Sequence, residues 1–255
     1  MGLCMHTTMA VTVDGTPLGL LHQKITSREV LSEEKIKIKK RSHNIALPIE
    51  EKESIRWLDS MRATVSLLRE KNDTRKVVTV ADREADIYDL FLLAEELDTH
   101  YLIRASHNRK INKIAVHSEN SGEFLWDYMS KIKVGGELMI DVPAKPDQPK
   151  RTATCHVKQA EISILPSRHH KGDKSKVRPL RVHAIQVVEK KPPKGCDKID
   201  WLLLTNIKVI NDDDAIEKIE WYCLRWRIAV YFKVIKSGFH VEDCRLETAD
   251  RLIRY

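Results

Sequence analysis

The sequence lacks any run of about 18 apolar residues, the length that a helix needs to span a bilayer. It also lacks an initial charged segment followed by an apolar stretch, which would indicate a signal peptide. Its five cysteines are scattered, with no C-x-x-C pair of the kind that binds zinc or exchanges disulfides. These absences predict a cytoplasmic protein with free thiols and no membrane partner.

Basic residues outnumber acidic ones by 44 to 37, which gives the 255-residue chain a formal net charge of +7. An excess of positive charge favours a polyanionic partner such as nucleic acid, although many basic proteins bind none. The hydrophobic content of 42% is enough for a buried core in one large domain or two small ones. Composition therefore predicts a globular protein and excludes a disordered chain.

The first part of the chain, residues 1–106, begins with a hairpin pattern. Two β-rich stretches, 3–13 and 18–22, flank the turn sequence Asp-Gly-Thr-Pro at 14–17. Lysine alternates with isoleucine in the basic stretch 35–41, a pattern typical of an edge strand or of a solvated connection. We favour the connection.

A helix, a strand, a second helix and a second strand are predicted to follow. Apolar residues recur at three- and four-residue steps in 51–70, which indicates an amphipathic helix. Residues 76–80 have the apolar, β-branched character of a buried parallel strand. With a helix at 83–97 and a strand at 101–104, they predict a β-α-β unit.

Residues 107–200 differ in composition, with lysine-rich segments, seven prolines and alternating runs such as 152–157 and 181–188. This pattern predicts a β-rich basic insertion between two halves of an α/β core, 1–106 and 201–255. In the second half we predict a strand at 201–205 and two helices, at 213–237 and from 242 to the end.

Asp82 follows the predicted strand 76–80, at the strand end where α/β folds place ligands. Taken alone, an aspartate there is better explained as the N-cap of the next helix. Residues 80–88 read VADREADIY, however, and resemble the D-R-E-A-D-I-Y motif around the second catalytic aspartate of bacterial DDE transposases. The resemblance implies that Asp82 is a catalytic residue and a metal ligand.

A second motif lies in the predicted helix 213–237. Tyr222, Arg225, Ala229 and Lys236 are spaced 3, 4 and 7 residues apart, which places them on one helix face. Such a face is either the solvated side of a basic amphipathic helix or a surface that holds DNA phosphates. The spacing resembles the Y-x2-R-x3-E-x6-K signature of the same transposases, with Ala229 at the position of the catalytic glutamate.

The order of these motifs resembles the IS-four family of insertion-sequence transposases along nearly the whole chain. The resemblance implies a ribonuclease-H-like core, a mixed sheet with flanking helices, interrupted by the β-rich insertion. It also implies that two Mg2+ or Mn2+ ions support cleavage and strand transfer of transposon-end DNA. The residues implied in DNA binding are Arg104, Trp201, Tyr222, Arg225, Trp226 and Lys236. Each of the two tryptophans either stacks on an extruded base or packs in the core.

The sequence departs from the family at two catalytic positions. Ala229 has a methyl group, which cannot ligate a cation that requires oxygen ligands. No aspartate precedes Asp14, which lies in the predicted turn, so the first catalytic aspartate is missing from the sequence. The family carries that aspartate on a central strand, and we expect unpaired backbone edges on the hairpin and on strand 76–80 without it.

We therefore predict a truncated transposase catalytic domain that has no strand-cleaving activity. As an alternative, the chain is a DNA-binding fragment that inhibits intact transposase subunits by binding DNA or by joining them. A third interpretation is a basic structural domain unrelated to transposition.

Overall fold

The computed structural model describes residues 2–28, 47–113, 123–144, 148–167 and 170–239. The predicted connection at 35–41 and the predicted last helix from 242 lie outside these residues. By its contacts the chain divides into two compact units. The first comprises residues 1–75, 169–172 and 223–255, and the second comprises 76–168 and 173–222.

The described strands and helices, numbered in chain order, are as follows. The strands are β1 (Gly2–Val11), β2 (Pro17–Arg28), β3 (Val78–Ala81), β4 (His100–Arg104), β5 (Lys110–Lys113), β6 (Glu123–Phe124), β7 (Gly136–Val142), β8 (Arg151–Ile164), β9 (Leu180–Glu189) and β10 (Asp200–Thr205). The helices are α1 (Ile55–Glu70), α2 (Tyr88–Glu96), α3 (Leu125–Lys131), α4 (Asp212–Cys223) and α5 (Trp226–Lys233).

The first unit contains the predicted hairpin, which is confirmed. β1 and β2 pair antiparallel with His6 opposite Lys24, and side chains alternate between the two faces of the ribbon. On one face His6 contacts Trp57 of α1 edge to face, with ring centroids 4.6 Å apart. On the other face Gln23 lies 3.3 Å from the hydroxyl of Tyr231 on α5. The hairpin therefore contacts a different helix with each face.

The hairpin turn requires a glycine. Gly15 has a φ of +89°, in the left-handed region that favours this residue. Its amide donates to the carbonyl of Thr12 at 3.0 Å, and a Cβ here would lie 3.1 Å from Nη2 of Arg227. Sequence and structure thus agree on the position of the turn.

Eight of the described strands form the mixed sheet of the second unit. Their order is β3-β4-β10-β9-β8-β5-β6, with β7 paired to β8. β3 and β4 are parallel, and the other described pairs are antiparallel. Helix α2 packs on this sheet through Phe91, which stacks on Tyr101 of β4 with centroids 4.7 Å apart. The predicted α/β architecture, a mixed sheet with flanking helices, is confirmed.

Strand β3 lies at the edge of this sheet. In the described ranges it pairs only with β4, and β1 and β2 pair only with each other. Val78, Thr79 and Val80 are half-exposed because an edge strand has a neighbour on one side only, so the prediction of a buried strand is wrong for these residues.

The predicted β-α-β unit is confirmed, but its helix is shorter than the predicted 83–97. Residues Arg83–Ala85 form a 3-10 turn, and α2 begins at Tyr88. Ile87 between them is extended, with φ −120° and ψ 124°, so a continuous helix cannot pass through it.

The segment 107–200 is β-rich, as predicted, and contributes strands β5 to β9. Its strand β9 pairs with β10 along six residues, so the segment shares one sheet with residues 201–205. The two compact units follow the hairpin and the large sheet, whereas the proposed division into 1–106, 107–200 and 201–255 follows family roles and stays a prediction.

The helix predicted at 213–237 is interrupted, so the prediction of one continuous helix is wrong. The amides of Arg227 and Ile228 bond to carbonyls three residues earlier, at Leu224 and Arg225, which breaks the i to i−4 pattern. α4 therefore ends at Cys223, and residues Val234–Gly238 form a π-helical turn after α5. No helix in the described ranges combines the length and apolar content that crossing a bilayer requires.

Candidate functional site

The candidate site lies in the second unit, at the C-terminal edge of the parallel strands. Ala81 and Ile103 are register partners in β3 and β4, so Asp82 and Arg104 follow at the same edge. β10 runs antiparallel to β4 and begins here, and Arg104 Nη2 donates to the carbonyl of Asp200 at 3.0 Å. Three neighbouring strands thus bring Asp82, Arg104 and the start of β10 together.

Helix α4 adds Tyr222 to this cluster. Its ring packs edge-on against Trp201 at the start of β10, with centroids 5.2 Å apart, and it lies close enough to Arg104 to raise the pKa of the guanidinium. Trp201 and Tyr222 are 7% and 2% exposed. The structure therefore brings four of the predicted residues together: Asp82, Arg104, Trp201 and Tyr222.

The charge of Arg104 is set by its surroundings. Burial lowers the pKa of its guanidinium below the ordinary value, while Tyr222 and the Asp82 carboxylate act in the opposite direction. The neighbouring cation Arg83 lowers the pKa further. Arginine remains protonated at such a site because its ordinary pKa lies far above neutral pH, so the cluster keeps a half-buried positive charge near Asp82.

Asp82 itself is half-buried and caps the 3-10 turn that follows β3. Its Oδ1 accepts a hydrogen bond from the amide of Arg83 at 2.6 Å. The capping role that an aspartate alone would suggest is therefore present in the structure. Capping by one oxygen and catalysis are compatible, because a carboxylate has two oxygens that accept several bonds.

Asp86, four residues after Asp82, has a structural role that the motif alone did not reveal. Its side chain is fully buried and accepts bonds from the amides of Ser106 and His107, at 2.7 and 3.0 Å, and from the Arg109 guanidinium. Burial by itself raises the pKa of Asp86. The bond from His107, the charge of Arg109 and the two amides outweigh that effect and hold the pKa below its usual value.

Asp86 therefore fixes the segment that leaves β4 directly after Arg104. Tyr88 similarly fixes the approach to β9, because its hydroxyl donates to the carbonyl of Arg178 at 2.6 Å and accepts from the Arg178 amide at 3.1 Å. A signal for Asp86 was present in the sequence, since this charged residue lies between the apolar residues Ala85 and Ile87.

The remaining predicted residues lie in the first unit. Arg225 is the N-cap of α5, Trp226 is its first residue, and Ala229 lies within it. Lys236 belongs to the π-helical turn after α5. Arg225 and Trp226 are half-buried, whereas Ala229 and Lys236 are exposed. Tyr222 belongs to α4 and the second unit, so the shared face that the spacing predicts for it and these residues stays a prediction.

The described residues do not fit a pair of divalent cations. In the described ranges no three His, Cys, Asp or Glu side chains are grouped to hold a metal ion. Arg83 and Asp82 both lie near Arg104, and the two guanidinium groups repel a cation at this edge. Hard divalent cations require several oxygen ligands, and this arrangement offers one carboxylate.

A family comparison agrees with this architecture. The family model described as Transposase DDE domain matches residues 55–254, which include all the predicted site residues. The chain therefore belongs to the DDE-domain family of transposases. Proteins of this family act on DNA and typically use divalent metal ions.

Proposed function

We propose that the chain binds DNA as part of the catalytic domain of an IS-four cut-and-paste transposase and does not cleave it. The observation that carries this proposal is Ala229, which stands on α5 at the position of the signature glutamate. The other signature residues, Tyr222, Arg225 and Lys236, are retained.

The absence of cleavage follows from the ligands that this arrangement offers. The exposed methyl group of Ala229 supplies no oxygen, and the Asp82 carboxylate lies near the Arg104 guanidinium. Asp14, the first aspartate of the sequence, lies in the hairpin turn, where its carboxylate accepts hydrogen bonds from Thr12 and Thr16.

DNA binding uses the basic side chains that remain. Arg104 presents a charged guanidinium at the strand edge, held by the Asp200 carbonyl, and guanidinium groups bind phosphates in a bidentate manner. Arg225 and Lys236 supply further phosphate contacts. The burial of Trp201 favours a packing role for this residue, whereas half-buried Trp226 is the better candidate for stacking on a base.

A nicking assay tests the absence of cleavage. Supercoiled plasmid is incubated with the purified chain and Mg2+ or Mn2+, and we expect no conversion to open circles. The Ala229→Glu variant should remain inactive because one added carboxylate still leaves the ligand set incomplete. Nicking that disappears in the Asp82→Ala variant would show that the chain is an active nuclease.

A second candidate function is inhibition of an intact transposase. The net charge of +7 and the retained phosphate-binding residues favour it, because a chain that binds DNA without cutting competes with an active relative. Co-expression with an intact IS-four transposase should lower transposition frequency, and the Arg104→Met variant should lower it less. An unchanged frequency with the unmodified chain would exclude this function.

A further inference from the structure

Two exposed aromatic side chains lie next to each other at the end of β6 and the start of α3. Phe124 is 41% exposed and Trp126 is 48% exposed. Between them, Leu125 is completely buried and, with Met129, anchors α3 in the second unit. The two aromatic residues are therefore not needed to hold the helix, and we call them the aromatic platform.

A cation lies beside this platform. Lys110 is directly opposite Phe124 in the β5–β6 pair, and its Nζ is 5.9 Å from the centre of the Phe124 ring. Two acidic residues are close to Phe124 in the sequence. Glu123 forms an ion pair with Lys131, with 2.6 Å between Oε1 and Nζ, and Asp127 is exposed. Surfaces for protein partners are usually depleted in lysine, whereas surfaces for single-stranded nucleic acid combine aromatic rings with basic side chains.

Hydrogen bonds connect the platform to the strand edge of the candidate site. The amide of Leu125 donates to the carbonyl of Arg109 at 2.9 Å, and the amide of Trp126 donates to Oδ1 of Asn108 at 3.0 Å. Asp86 in turn holds Arg109 and the amides just before it. The segment 105–109 that bears these contacts begins directly after Arg104.

We propose that Phe124 and Trp126 stack on bases of an unpaired DNA strand whose phosphates contact Arg104 and Lys110. This proposal rests on the proposed DNA-binding function and assigns it a site for bases outside the family signature. Stacking on aromatic rings tolerates any base because each base has a flat π-face. Stacking of this kind suits a protein that binds DNA ends, where bases are unpaired at a strand end or in a distorted duplex.

Two labelled probes separate base stacking from phosphate binding. One is single-stranded oligothymidine, and the other is an abasic strand of equal length, which keeps the phosphates and lacks the bases. Binding of the full chain is measured by fluorescence anisotropy over a salt series. We expect the wild type to bind the thymidine strand more tightly, by roughly tenfold, because stacking adds to the phosphate contacts.

Three variants locate this preference on the platform. Trp126→Leu keeps an apolar side chain without the ring and should lose the preference, while its affinity for the abasic strand is unchanged. Trp126→Phe keeps a ring and should retain most of the preference. Met139→Ala removes another exposed apolar side chain, 72% exposed on β7, and should match the wild type.

The outcomes are distinguishable. Equal wild-type affinity for the two strands, or a preference that survives in Trp126→Leu, would contradict base stacking on the platform. Neither result would contradict phosphate binding by Arg104. Failure of the wild type to bind either strand would contradict both the platform and the proposed function. A change in oligomeric state on sedimentation of Trp126→Leu, with the base preference kept, would instead assign the platform to contacts between copies.

Discussion

The carboxylate of Asp86 and the guanidinium of Arg109 form an ion pair whose side chains are 0% and 12% exposed. The pair joins the motif that contains Asp82 to the segment that follows Arg104, in the same unit. Two residues of a conspicuous motif thus have different tasks, because Asp82 lies at the site and Asp86 fixes the backbone around it.

The substitution Asp86→Asn should strongly destabilise the chain. It leaves the Arg109 guanidinium buried without its counter-charge, and breaking a buried pair in this way costs about 3–5 kcal/mol. Urea unfolding followed by circular dichroism measures the change. Glu96→Gln is the control, because its exposed ion pair with Lys176 should contribute less than about 1 kcal/mol. An equal effect of the two substitutions would contradict the assigned role of Asp86.

The same carboxylate predicts a pH dependence. Since the pKa of Asp86 is lower in the folded chain than its ordinary value of 3.8, the unfolded state binds the proton more readily. The stability that Asp86 provides is therefore complete above about pH 4 to 5 and is lost as the pH falls through the lowered folded value. In urea unfolding experiments from pH 6 to pH 3, the free energy of unfolding should decline less in Asp86→Asn than in the wild type. Parallel curves for the two proteins would exclude this contribution.

Replacement of Arg104 by methionine should weaken DNA binding and reduce its dependence on salt. Each phosphate contact contributes a slope of about 0.9 for duplex DNA in a plot of log affinity against log salt concentration. Arg62→Met in α1 is a suitable control, since Arg62 is an exposed residue paired with Asp59 at 3.4 Å. If the two variants have the same slope as the wild type, Arg104 does not contact a phosphate.

The close approach of Gly135 to α4 predicts a specific steric effect. A Cβ at Gly135 would lie 2.6 Å from Cγ of Asp212, whereas one at Gly136 would lie 3.4 Å from the Asp212 Cβ. Gly135→Ala should therefore destabilise the chain by about 1–3 kcal/mol, as overpacking does, and Gly136→Ala by less. In a double-mutant cycle, Asp212→Ala should recover part of the loss. Strict additivity would show that Asp212 is not the obstacle.

The thiol of Cys155 should react slowly with alkylating reagents in the folded protein. Cys155 is completely buried, and burial raises the pKa of its thiol to about 11. The reactive thiolate is therefore scarce at neutral pH. Alkylation at pH 8, mapped by mass spectrometry, should modify half-buried Cys196 before Cys155 and reach Cys155 only as urea unfolds the chain. Rapid modification of Cys155 without urea would show that β8 opens locally.

Much of this protein was determined by the sequence itself. The turn at Gly15 and the β-α-β unit follow from local rules, because hairpin turns need particular residues and apolar periodicity distinguishes helix from strand. The retained motif around Asp82 and the substitution at Ala229 were also visible without any coordinates.

Other features were decided only by tertiary structure. The break after Cys223 lies within a stretch whose apolar spacing is helical throughout, and local periodicity does not specify where a helix is interrupted. Arg104 lies near Tyr222, and Asp86 accepts hydrogen bonds from residues about 20 positions later. Both arrangements depend on contacts between distant parts of the sequence. Burial and register arise from such contacts, so only the folded chain could distinguish half-buried Asp82 at the site from fully buried Asp86.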